Sequence, residues 1–132
     1  MKRAYLAISL SLRTTLDPVV KTIQQVLAEH GIELFVFVDH YHFSPHQEKE
    51  MMQQALIEID RCGLLIAECS EKAIGVGLEA GYAIGRGKQL WYLRPQNAPH
   101  STTVAGAAHK SFIYGNTGDL ADQIRKELHT AI

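Results

Sequence analysis

Neither sign of charge dominates this sequence: 13 lysines and arginines stand against 14 aspartates and glutamates, for a formal net charge of −1. A chain so balanced lacks the basic excess of a protein that binds a nucleic-acid polymer. Long apolar runs are also missing. Stretches such as Leu64-Leu65-Ile66-Ala67 fall far short of the roughly 20 residues that cross a bilayer, which excludes a membrane partner. Met1-Lys2-Arg3-Ala4-Tyr5 leads directly into a strand-like segment with no small-residue cleavage site, so no secretory signal is expected and the chain reads as cytoplasmic. Cysteine is scarce, with Cys62 and Cys69 only. They flank an expected strand whose length holds them roughly 23 Å apart, well beyond the reach of a disulfide. Two buried free thiols suit a reducing compartment.

What remains is ordinary globular material, 46% hydrophobic and 20% charged over 132 residues. This length supports one core without staples, and residues 1–132 show no repeat, low-complexity tract or linker, so one domain is expected. Short apolar runs alternate with helical patterns. Strands are expected at residues 5–9, 34–38, 64–67, 89–94 and 111–114. Asp17-Pro18 supplies an N-cap and a first-turn proline for a helix that carries Val19, Val20, Ile23, Val26 and Leu27 and ends at Gly31. Ser44-Pro45-His46-Gln47 fits a capping box for a second helix with Met52, Ala55, Leu56 and Ile59 as its stripe. A third helix is expected from about Gly77 to Arg86, and a last one is capped by Thr117. Residues 96–110 form a stretch long enough to be functional or to contain one more helix.

Strands alternating with helices imply right-handed crossovers and an α/β fold: a doubly wound, mostly parallel five-stranded sheet in a flavodoxin/Rossmann-like three-layer sandwich. Ligands of such sheets bind beyond the carboxyl ends of the strands. Those ends are residues 9–13, 39–44, 68–77 and 94–101.

The most informative segment runs Gly75-Val76-Gly77-Leu78-Glu79-Ala80-Gly81-Tyr82-Ala83-Ile84-Gly85-Arg86-Gly87-Lys88. Each glycine in a helix costs about 1 kcal/mol relative to alanine, so close packing or close approach of a ligand to the backbone must offset it. Gly75 and Gly77 are candidates for such approach. The dinucleotide fingerprint does not fit: the spacing is G-x-G-x-x-x-G, a turn separates it from the preceding strand, and no acid ends the next one. The phosphate loop G-x-x-x-x-G-K-[ST] is absent too. Glu79 falls in the expected first helical turn, where the dipole favours an ionised carboxylate. Most glutamates so placed are simply solvated; an ionised and positioned one can act as a nucleophile.

Residues 67–88 resemble the nucleoside 2-deoxyribosyltransferase family, above all its 2′-deoxynucleoside 5′-phosphate N-hydrolase branch. There Gly-Val-Gly-x-Glu-x-Gly-x-Ala carries a nucleophilic glutamate, a position held here by Glu79. Tyr5-Leu6-Ala7, Arg94-Pro95-Gln96 and Gly106-Ala107-Ala108 extend the similarity along most of the chain. The resemblance implies cleavage or transfer of the base–sugar bond of a nucleoside or nucleoside 5′-monophosphate, without a cofactor or metal. Tyr5 would orient the nucleophile. Ser9 and Ser101 match hydroxyls that hold a 5′-phosphate, with Ser11 and Arg13 near enough to serve. Homo-oligomers, with sites completed between subunits, are implied as well, and related folds that cleave nicotinamide from NAD widen the range of substrates. The chain departs from the family at Gly63, where an aspartate is usual, and at Ala73, in place of a second phosphate-binding serine. Asp60 is the nearest substitute for the missing carboxylate.

Asp39-His40-Tyr41-His42-Phe43-Ser44-Pro45-His46 is rich in metal-ligand types but has neither paired cysteines nor H-E-x-x-H. It reads better as a loop over the strand ends, with Asp39 and Tyr41 as substrate contacts and Tyr41 and Phe43 stacking on a base, a merely polar connecting loop being an equal reading. Gly63 keeps a second reading open, a non-catalytic nucleotide-binding or regulatory module on the same scaffold. A phosphorylated receiver domain does not fit. Ser9-Leu10 stands where an acid pair would follow the first strand, and Glu68-Cys69 where a phospho-acceptor aspartate would end the third.

Overall fold

A computed structural model describes residues 2–131. The strands are β1 (Arg3–Ala7), β2 (Glu33–Val36), β3 (Leu64–Glu68), β4 (Gln89–Pro95) and β5 (Lys110–Tyr114). The helices are α1 (Asp17–Ala28), α2 (Glu48–Asp60), α3 (Ile74–Gly85), α4 (Thr102–Ala107) and α5 (Thr117–Ala131). The sheet order is β2-β1-β3-β4-β5 and every pairing is parallel. The expected α/β three-layer architecture is therefore the observed one.

Strand alternation sorts the core into two halves. Ala4, Leu6, Leu34, Val36, Leu64 and Ile66 face α1 and α5, against Val20, Ile23, Leu27, Leu120 and Ile124. Their neighbours Tyr5, Ala7, Phe35, Leu65 and Ala67 face α2 and α3, against Ile59, Val76, Ala80 and Ala83. This period of two is what sends Tyr5 to the α3 side. Burying aliphatic side chains of this kind contributes about 1.5–3 kcal/mol each, and Leu64, Leu65, Ile66 and Leu90 are fully enclosed. Cys62 and Cys69 are free and buried, with burial pushing their thiols up to about 11 and about 12.

Several boundaries differ from the sequence expectation, for identifiable reasons. β1 starts two residues earlier and stops at Ala7, where its register with Ala67 ends; Ser9 then leads into a tight turn at Leu10–Leu12. Phe37–Asp39 is a single 3-10 turn rather than strand, because the edge strand β2 loses its partner after Leu6 and Val36. Asp17 is the first residue of α1, not its cap; Arg13 and Lys21 hold its carboxylate at 3.1 and 3.0 Å. Gly31 does take the left-handed conformation (φ 72°) that favours glycine after a helix. Only half of the Ser44 box forms: Gln47 Oε1 accepts from Ser44 N and Oγ, each at 2.9 Å, but the Gln47 amide donates to the Ser44 carbonyl and not to its hydroxyl. It closes a separate turn, however, and α2 starts only at Glu48. Thr117 lies inside α5, and Asn116 Oδ1 accepts from the Asp119 amide at 2.8 Å in the capping role. The helix left open within residues 96–110 is α4.

Candidate active site

The order β2-β1-β3-β4-β5 reverses direction between β1 and β3, and such a switch point is where α/β sheets open a crevice for ligands. The carboxyl ends of β1 and β3 and the start of α3 meet there. α3 begins at Ile74, three residues before the expected start, and its N-cap Ala73 offers no side-chain cap. The first-turn amides therefore lack the usual side-chain acceptor. Glu79 consequently lies in the second turn, beyond the range of the dipole effect. Burial dominates its titration instead and opposes ionisation, raising its carboxyl to about 7 against the lowering effect of its hydrogen bond to Tyr5.

Tyr5 Oη donates to Glu79 Oε2. Burial first, then the neighbouring carboxylate, push the Tyr5 phenol far above its ordinary range. It stays protonated, and so remains a donor that fixes one carboxylate oxygen and leaves the other unclaimed by it. Glu79 lines a cavity of about 520 Å³, within the usual size range of small-ligand pockets. Phe37, Tyr41, Phe43, Met51 and Met52 form an apolar side of it, and Ile8, Ser9, Ala73 and Gly75 are among the rest of its lining. The three aromatic rings are mutually packed, with Phe37 5.0 Å and Phe43 6.0 Å from Tyr41 between centroids.

Tyr41 is anchored from below. Its hydroxyl donates to Glu58 Oε2 at 2.6 Å and accepts from Gln54 at 3.0 Å. Glu58 is 2% exposed and takes a further bond from Arg3 Nη1 at 3.1 Å. The Arg3 guanidinium in turn lies 4.2 Å over the Phe35 ring. Sequence reading missed Glu58; the signal was a carboxylate one residue from the stripe position Ile59 and four from Gln54.

Ser9 and Ser11, expected as phosphate-holding hydroxyls, come together around Glu71. Both hydroxyls donate to Glu71 Oε1, Ser11 at 2.9 Å, and they lie 3.1 Å from one another. Arg13 grips Asp39 with two bonds of 3.0 and 2.8 Å and Asp17 with a third of 3.1 Å. Arg13 and Asp39 therefore satisfy one another beside the cavity rather than in its lining. Gly77 and Ser101 line a second space of about 280 Å³ that shares the wall Ala73 and Val76 with the first. Ser101 caps α4, accepting from the Val104 amide at 3.4 Å.

Asp60 is not brought to Glu79. It is the last residue of α2, at the amino edge of the sheet, where it binds the Tyr82 hydroxyl at 2.9 Å and Arg86 Nε at 2.9 Å. Those bonds, Tyr82 first, hold its carboxyl below the ordinary range. Gly63 lies on the same edge, its amide bonded to Arg3 O and its carbonyl to the Gln89 amide. The structure thus brings Tyr5 and Glu79 together at the aromatic cavity and holds Asp60 at the opposite edge of the sheet, apart from them. His40 stacks on Phe35 at 4.8 Å while His42 lines the cavity. Among the described residues no three histidines, cysteines or carboxylates gather as a metal-holding group, and no helix is long and apolar enough to cross a membrane.

The sequence profile of the family described as nucleoside 2-deoxyribosyltransferase matches residues 4–123. Among solved structures, a CMP N-glycosidase from Clostridium botulinum superposes with a TM-score of 0.67 at 21% identity, covering 93% of this chain and 98% of that one. A 2-deoxyribosyltransferase from Bacillus psychrosaccharolyticus gives 0.68 at 20% identity, covering 91% and 90%. A conserved protein from Enterococcus faecalis gives 0.72 at 16%, covering 96% and 99%. No curated protein matches the sequence.

Proposed function

The chain belongs to the nucleoside 2-deoxyribosyltransferase family, and we propose that it cleaves or transfers the base–sugar bond of a nucleoside or nucleoside 5′-monophosphate with Glu79 as nucleophile. The observation that carries this reading is the Tyr5–Glu79 hydrogen bond at the wall of the aromatic cavity. A flat, apolar nucleobase suits Phe37, Tyr41 and Phe43, which leaves C1′ of the sugar beside the carboxylate. One oxygen of ionised Glu79 attacks C1′ through an oxocarbenium-like transition state, the C1′–N bond breaks, and its electron pair leaves with the base. The glycosyl ester then passes its sugar to water or to a second base, restoring the carboxylate. Tyr5 holds the other oxygen and so fixes the line of attack. Besides Glu79 and Tyr5 the steps need only the substrate and the water or base that accepts the sugar, whose released proton neutralises the departed base.

Gly63, the residue that favoured a non-catalytic module, sits at the amino edge of the sheet. Its lack of a side chain takes nothing from the cavity at the opposite, carboxyl ends of the strands, which supports the enzymatic reading. We also propose a homo-oligomer built on the exposed face of α3. Ile74 (94% exposed) and Leu78 (57%) lie on that face together with Gly81 and Gly85 at helical spacing. A Cβ at either glycine meets nothing within 4 Å, so packing within the chain does not account for them.

The test is incubation with nucleosides, deoxynucleosides, their 5′-monophosphates and NAD, with and without a free acceptor base, followed by chromatography. Base release or exchange that disappears in Glu79→Ala supports the proposal. Binding without turnover of any compound would favour the module.

A further inference from the structure

Three hydroxyl and carboxylate groups lie outside the chemistry just described. The Ser9 and Ser11 hydroxyls both spend their single protons on Glu71 Oε1. Ser9 lines the larger cavity and Glu71 the smaller one. Because Ala73 and Val76 wall both spaces, this cluster stands at their junction. With the base among Phe37, Tyr41 and Phe43 and C1′ at Glu79, the rest of the sugar extends toward Ser9 and Ala73, and so toward Glu71.

The Glu71 carboxylate puts a negative side-chain charge at that end, beside the uncapped amides at the start of α3. The two hydroxyls, Ser9 first, hold the Glu71 carboxyl below its ordinary range, so it is ionised at neutral pH. No lysine or arginine is among the residues lining the larger cavity. Arg13, the nearest candidate by sequence, already binds Asp39 and Asp17, and Lys72 lines the adjoining space. A phosphate arriving here meets a like charge and two hydroxyls whose protons are committed, and like charges at such range cost free energy even near a surface. A neutral hydroxymethyl group instead offers a proton that the Glu71 carboxylate accepts.

We infer that Glu71, braced by Ser9 and Ser11, is a specificity-determining residue that selects an unphosphorylated nucleoside over its 5′-monophosphate. The inference rests on the glycosidic reading above and narrows its substrate class.

The experiment compares one nucleoside with its own 5′-monophosphate, on the native protein and on Glu71→Gln and Glu71→Ala. The native protein favours the nucleoside at least tenfold in kcat/KM, and both variants reduce that ratio at least tenfold, chiefly by accepting the monophosphate. Preference of the native protein for the monophosphate, or a ratio unmoved in both variants, overturns the inference. The same two compounds are titrated by calorimetry onto Glu79→Gln, with and without Glu71→Gln. If the native protein releases no base at all, the glycosidic reading fails, yet the binding preference and its loss with Glu71→Gln still decide the role of Glu71. Absence of binding by both compounds also overturns it.

Discussion

The phenol of Tyr5 donates to Oε2 of Glu79, tying the middle of β1 to the second turn of α3. The bond has two effects: it orients the carboxylate and it opposes the burial that raises Glu79 to about 7. If Glu79 is the nucleophile, only its ionised form attacks, so kcat/KM should rise with pH and level off above a midpoint near 7. Tyr5→Phe removes the lowering contribution, so the midpoint should move upward and activity at pH 6.5 should fall roughly 10- to 100-fold, within the range for loss of a positioning group. A pH–rate profile of both proteins checks this. An acidic limb below pH 5 in the native protein would remove Glu79 from the role.

The same elevation has a cost in stability. A carboxyl whose folded value lies above its unfolded value binds more protons in the native state, so its contribution is present below about 4.5 and is lost as pH rises through about 7. Glu79→Gln should therefore be more stable than the native protein at pH 8, by roughly 1–2 kcal/mol once residual solvent contact is discounted. The difference should disappear near pH 4. Thermal unfolding at the two pH values measures it, and equal gains at both would point to packing instead of charge.

The sequence carried the layers of this fold because periodicity did: Leu64 to Ala67 and Leu34 to Val36 read as buried strands and are so. It also pointed to Tyr5 and Glu79, through the family resemblance, and the structure joins the two by a hydrogen bond. It did not carry their electrostatics. Shifting the start of α3 from Gly77 to Ile74 moved Glu79 out of the first turn, so desolvation replaced the dipole as the controlling effect. Three-residue shifts at a helix start are invisible when, as at Ala73, no capping side chain marks it. Asp60 illustrates a different limit. Its nearness to Gly63 in sequence placed it at the amino edge of the sheet, and only the topology shows that edge to be opposite the cavity. Glu58 and Glu71 act through partners 17 and 60 or more residues away, contacts that no local pattern encodes.

Glu58 holds Tyr41 against the cavity while also binding Arg3 and Gln54. Glu58→Gln keeps the shape but leaves Arg3 without its buried counter-charge, which should cost about 1–3 kcal/mol. If Tyr41 contacts the base and not the reacting carbon, as proposed, KM should rise several-fold with a smaller change in kcat. Tyr41→Phe keeps the ring and should raise KM less. Steady-state kinetics with a melting curve separate the two effects, and a fall in kcat alone would contradict the assignment.

The glycines of α3 invite the opposite kind of substitution. Gly81 has open space around it within the chain and lies in a helix interior, so a side chain there should leave the fold intact and relieve about 1 kcal/mol of helix cost. If a second copy packs on the face formed by Ile74, Leu78, Gly81 and Gly85, a bulky charged residue prevents that approach. Gly81→Arg should then melt no lower than the native protein when both are measured as monomers, yet elute as a monomer where the native protein elutes as an oligomer. Light scattering after size exclusion reads the mass directly. A native protein that is itself monomeric, or a Gly81→Arg variant that still associates, would mean that the exposed apolar face of α3 serves some other contact.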